Sequence, residues 1–127
     1  MANSKLLTRT LDYIIDNQPR WDQTTFRSAG QPAKCCFGSQ AVLQSGGQWI
    51  NEWYDSNDPS LFYLVRMPDG REDYVWVFAR ELLDLEYVDH IRIIHATNNL
   101  DRLIELVYSH VDVESEIPQS QTELVDA

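Results

Sequence analysis

Two cysteines stand side by side in AKCCFGSQAVLQSGG, residues 33–47, and three histidines, His90, His95 and His110, lie in the second half of the chain. A thiol acts as a nucleophile when it is held as thiolate, which the positive end of a helix and a nearby base favour. Cys36 meets part of that requirement, because it opens an apolar run that reads as a short helix and Lys34 stands close before it. The rest would have to come from a distant histidine, with a carboxylate or amide behind it. His90, with Asp89 beside it, and His95 are the candidates. No Gln-Ala-Cys-x-Gly type of signature surrounds the thiols. The competing expectation is plain packing: unpaired cysteine is among the most buried residue types, and Cys36, Phe37 and Ala41 suit one core-facing side. Cys35, about 100° round the helix from its neighbour, is then the more exposed thiol.

Metal chemistry fits the spacing less well. Adjacent cysteines lack the spacer that lets two thiolates reach one tetrahedral ion, and His90 and His95 fall outside the i, i+4 register of a helix face. No metal and no cofactor is expected. Asp84, Glu86 and Asp89 read first as the wet face of a helix, and spacing alone selects no catalytic pair among them. They are instead candidate binding residues, together with Tyr63, Tyr74 and Trp76, because Tyr and Trp dominate interface hot spots.

Charge narrows the class of partner. The chain of 127 residues has a formal charge of −10, and most of it lies beyond residue 50. An acidic half of this kind argues against holding a nucleic-acid backbone, which needs clustered Lys and Arg. It suits a basic protein partner or mimicry of nucleic-acid charge. The opening MANSKLLTRTLDYIIDNQ is too polar for a signal peptide, and no stretch approaches the roughly 18 apolar residues of a membrane span. A cytoplasmic protein with free thiols is expected.

The elements that must position these residues follow from periodicity. Leu7, Leu11, Ile14 and Ile15 predict a helix over 4–17 with Asn3 or Ser4 as its cap, ended by Pro19. A loop with Trp21 and Phe26 as anchors and one short helical turn leads to the helix over 35–45, stopped by Gly46 and Gly47. Trp49, Ile50, Trp53 and Tyr54 permit one more helical turn. LFYLVRMPDGREDYVWVF, residues 61–78, predicts a β-hairpin around a type I turn at Met67-Pro68-Asp69-Gly70. Helices are then expected from about Phe78, over 86–97 with Tyr87, Val88, Ile91 and Ile94 inward, and after an Asn98 cap with Leu100, Leu103, Ile104, Val107 and Val111 inward. Residues 112–127 hold five acids and no base, and are expected to form a flexible acidic tail beyond a single domain over 1–111.

CFGSQAVLQSGG, ARELLDLE and HATNNLDRLIELV together resemble a group of small actinobacterial and actinobacteriophage proteins that carry a Cys-Phe helix and an Asn-x-Leu-Asp-x-Leu helix near the end. Cys36, Phe37, Ala41, Gly46, Ala79, Arg80, Leu82, Leu83, Leu85, Asn98, Leu100, Asp101 and Leu103 match that pattern. Ser39, Gln40 and Asp84 depart from it, and Cys35 is additional. The group has no established activity, so the resemblance implies a phage or bacterial setting and no mechanism. The reading that results is a helix-dominated α+β domain with one hairpin. It is expected to serve as a cytoplasmic accessory protein of a bacterial host that binds a protein partner through its acidic face or hairpin, in one version as an acidic inhibitor of a basic host protein. A thiol-dependent enzyme using Cys36 with a histidine, and a protein that self-associates through the hairpin edge, are the alternatives.

Overall fold

The computed structural model describes residues 2–30, 33–52, 54 and 56–111, so the expected tail over 112–127 lies outside the described residues. Among these, helices dominate an α+β arrangement: α1 (Ser4–Asp16), α2 (Phe37–Gln44), α3 (Val75–Leu83), α4 (Tyr87–Ile94) and α5 (Leu100–Tyr108). They accompany a three-stranded antiparallel sheet ordered β1 (Gln48–Trp49), β2 (Leu64–Arg66), β3 (Glu72–Tyr74). No helix among the described residues is long and apolar enough to cross a membrane.

Helix α1 forms where its apolar spacing places it. Leu6, Leu7, Thr10, Leu11 and Ile14 share its buried face, and the Asn3 side chain accepts a hydrogen bond from the Leu6 N–H at 3.2 Å. Leu7, Leu11 and Ile14 join Phe37, Ile93, Leu103 and Val107 in one apolar cluster where α1, α2, α4 and α5 meet. Burial of a side chain as large as Phe37 contributes about 2–3 kcal/mol. A second cluster, of Val42, Val65, Met67, Val75, Phe78 and Ala79, fills the space between α2, α3 and the sheet, and Leu82 packs against both. At Gly47 the two layers come close: a Cβ there would lie 2.7 Å from Val42 Cγ1 and 2.9 Å from Val65 Cγ1.

The hairpin turn follows its local chemistry. Gly70, at φ 93°, donates from its N–H to the Met67 carbonyl at 2.9 Å, and the Met67 N–H donates to the Arg71 carbonyl at 2.9 Å. Its arms are much shorter than 61–78, however. Leu61, Phe62 and Tyr63 belong to a 3-10 turn over Pro59–Tyr63, and Val75, Trp76, Val77 and Phe78 open α3. The apolar run YVWVF suits either state locally. Burial of Val75, Phe78, Ala79 and Leu83 at helical spacing decides for helix, because that face then closes on α2 and the sheet.

Other expectations need correction. Trp49 does not start a helical turn; it pairs with Val65 in the sheet. The inward face of α4 is His90 and Ile93, while Tyr87, Val88 and Ile91 are exposed. The cap of α5 is Asn99, whose side chain accepts from the Arg102 N–H at 2.8 Å. Asn98 instead donates to the Arg92 and Ile93 carbonyls, closing the end of α4. Cys35 precedes α2 in extended backbone bridged to Trp21 and is buried, not the exposed thiol of the pair.

Candidate functional site

The two thiols sit where chemistry is least accessible. Cys35 is 3% exposed and Cys36 2% exposed. Burial pushes both thiols above their usual range; the Arg27 cation partly offsets this at Cys35, and hydrogen bonds from Ser39 do so at Cys36. The Cys36 Sγ lies 3.7 Å from Ser39 Oγ at the start of α2. Beside it, Gln23 fastens the helix to the rest of the molecule. Its Oε1 accepts from the Phe37 N–H at 3.0 Å and from Trp21 Nε1 at 3.0 Å, and its Nε2 donates to the Ile93 and His95 carbonyls at 3.0 and 3.2 Å. The amide therefore caps the first turn of α2 and the last turn of α4 at once.

None of the three histidines is hydrogen-bonded to either sulfur among the described residues, and none lines the hollow of about 260 Å³ that includes Cys36. His95 is exposed, with its Nδ1 accepting from the Thr97 N–H at 3.2 Å. His90 packs inward from α4 into a different cavity, and His110 Nε2 lies 4.0 Å from Asp89 Oδ1. The structure therefore does not bring Cys36, His90 and His95 together as a nucleophile and its base. No group of three His, Cys, Asp or Glu side chains among the described residues is placed to hold a metal ion.

The proposed binding residues fall into two sets. Tyr63, Tyr74 and Trp76 meet in an aromatic cluster with Phe26: Tyr74 stacks on Trp76 with ring centres 4.8 Å apart and planes 9° apart, and Phe26 and Tyr63 approach Trp76 at 5.1 and 5.8 Å. These rings are half-buried, and Trp76 belongs to α3 rather than to a hairpin strand. Asp84, Glu86 and Asp89 gather with His110 around a shallow hollow of about 220 Å³ at the corner between α3 and α4. Asp84 adopts the left-handed conformation, φ 53°, that turns the chain from one helix to the other.

Between these sets runs an open groove of about 580 Å³ with an almost wholly apolar wall. Trp76, Val77 and Arg80 line it from α3, His90, Ile91 and Ile94 from α4, and Phe26 from the preceding loop. The Arg80 guanidinium lies over the Tyr87 ring at 4.8 Å, a contact between α3 and α4. His90 is 4% exposed, and its Nδ1 has no hydrogen-bond partner among the described residues. Burial, then the Arg80 charge, lowers its pKa below the ordinary value, so the imidazole is neutral at pH 7.

Trp76 and His90 were singled out by residue type and Ile91 and Ile94 by periodicity, but nothing in the sequence joined them into one groove. One signal was present: YVDHIRII places five large apolar side chains in eight residues, more than one buried stripe of a short helix can hold. Comparison of the chain with protein-family models, with curated proteins and with solved structures gives no match.

Proposed function

We propose that the protein is an accessory module that binds a basic protein partner through the outer surface of α3 and α4. One observation carries the reading: Tyr87, Val88 and Ile91 are 63%, 57% and 40% exposed, directly beside the acidic corner of Asp84, Glu86 and Asp89. Exposed aromatic and branched side chains flanked by charge are the composition of a protein interface with a polar rim. The formal charge of −10 supports a basic partner, attracted at long range and then held by the apolar residues. The burial of both thiols supports this reading over catalysis by Cys36. The proposal takes the partner to be a protein of a bacterial cell or its phage, in line with the sequence resemblance, and inhibition of a basic host protein is its narrower form.

Affinity capture from bacterial lysate, followed by titration of the captured protein, tests it. The wild-type chain is expected to retain a protein of high isoelectric point, with binding weakened at least about tenfold as salt rises from about 0.05 to about 0.5 M. A Tyr87→Ser, Val88→Ser double variant with unchanged thermal midpoint is expected to lose that partner. Binding indifferent both to salt and to the double substitution overturns the proposal.

A further inference from the structure

The groove between α3 and α4 is chemically distinct from the acidic corner. Residues two apart on a helix lie about 200° apart, so Ile91 in the groove wall and Asp89 at the corner occupy opposite flanks of α4. In a chain rich in carboxylates, the charged group in the groove is a cation. Arg66, Arg71, Arg92 and Arg102 pair with acids; Arg80, like Arg9, Arg20 and Arg27, has no carboxylate of the described residues within ion-pairing distance, and of these four it alone lines the groove. Its guanidinium faces the Tyr87 ring, which leaves its in-plane N–H donors for an anion.

We infer that this groove is a binding site for a small organic acid, a monocarboxylate with an aliphatic or aromatic body. The carboxylate pairs with Arg80, and the body lies along Trp76, Val77, Ile91 and Ile94. A volume of about 580 Å³ lies within the range of small-molecule sites, and a largely apolar wall with very few polar groups is their usual composition. Charge also favours a free acid over an acidic protein segment. A peptide with several carboxylates finds a single cation in the groove of a chain whose formal charge is −10, whereas a monoacid brings one charge and finds one partner. This inference does not depend on the protein partner proposed above.

Octanoate and 4-phenylbutyrate, each compared with its primary amide, are the probes. They are followed by calorimetry and by tryptophan fluorescence, with Trp76→Phe reporting whether the signal arises in the groove. Both acids are expected to bind at least about tenfold more tightly than their amides, and Arg80→Met is expected to remove that preference. Val77→Glu, at a wall position 40% exposed, is expected to repel the acids while leaving the fold intact. Equal binding of acid and amide, acid binding unchanged in Arg80→Met and in Val77→Glu, or no binding of either acid at millimolar concentration overturns the inference. So does tighter binding of an acetylated Phe-Glu-Leu-Glu peptide than of the free acids.

Discussion

The hollow that includes Cys36 and the groove between α3 and α4 share Phe26 and Ile94 as walls, yet their polar groups are treated in opposite ways. On the cysteine side the carbonyl and both amide hydrogens of Gln23 are used, by Trp21, Phe37, Ile93 and His95, and the Cys36 thiol meets Ser39. On the groove side the His90 Nδ1 is unpartnered and the Arg80 guanidinium meets a ring rather than an acid. A satisfied buried polar group holds a fold together, because removing it strands its partners. A cation at the wall of an apolar space with no acid beside it keeps its donors for a ligand. Residue type made the cysteines candidates for chemistry and for packing alike, and both are buried.

The contrast predicts unequal costs of substitution. Gln23→Leu deletes four hydrogen bonds and strands the Phe37 N–H and the Trp21 Nε1–H, while the Ile93 and His95 carbonyls keep donors from Asn98. A loss on the order of 3 kcal/mol, read as a lower urea midpoint with unchanged slope, is expected. Arg80→Met, which removes a cation from an exposed position, is expected to move stability by no more than about 0.5 kcal/mol. Equal losses in the two variants would erase the distinction between a structural hollow and an available groove.

Thiol reactivity probes the same contrast from the cysteine side. With both sulfurs buried and both thiols held above their ordinary range, iodoacetamide is expected to modify the folded protein at least about 100-fold more slowly than the protein in urea. Mass analysis after timed quenching reads the rates. Fast modification of Cys36 in the folded state would restore the thiol as a centre of chemistry.

How much of this was legible in the sequence depended on how local the deciding force was. The stripe of Leu7, Leu11 and Ile14 and the turn at Met67–Gly70 are specified within a few residues, and both elements form where the sequence places them. The run Val75–Phe78 carries no local preference strong enough to choose, and contact with α2 makes it helical. A strand as short as Gln48–Trp49 has no periodicity to detect; its pairing to Val65 and Arg66 comes from the fold. Tyr87, Val88 and Ile91 were expected inward because they are apolar, but α5 and α1 already fill the core beneath α4 with Leu103, Val107 and Leu7. His90 and Ile93 take the inward positions instead. Among the candidate residues, the aromatic set and the acidic set were each recognisable by type. The groove between them was not, since its wall comes from the loop at Phe26 and from two helices whose relative placement is a tertiary result.

The smallest effect should come from His90, and its sign separates burial from pairing. Because the imidazole is buried beside Arg80, with burial the larger cause, its folded pKa lies below the ordinary value of 6.5. The unfolded chain then takes up the proton first as pH falls. The stability linked to His90 is fully present above about pH 6.5 and is lost progressively as pH drops toward the lower folded value. One proton limits the slope to about 1.4 kcal/mol per pH unit. Urea midpoints measured from about pH 7.5 to about pH 5.5 should therefore fall in the wild-type chain. The fall should be shallower in His90→Gln. A slope that persists in His90→Gln would place the titrating group elsewhere. Stability that rises on acidification would mean that an anion already stabilises the imidazolium, the reverse of the electrostatics that leave the groove with a lone cation and a neutral ring.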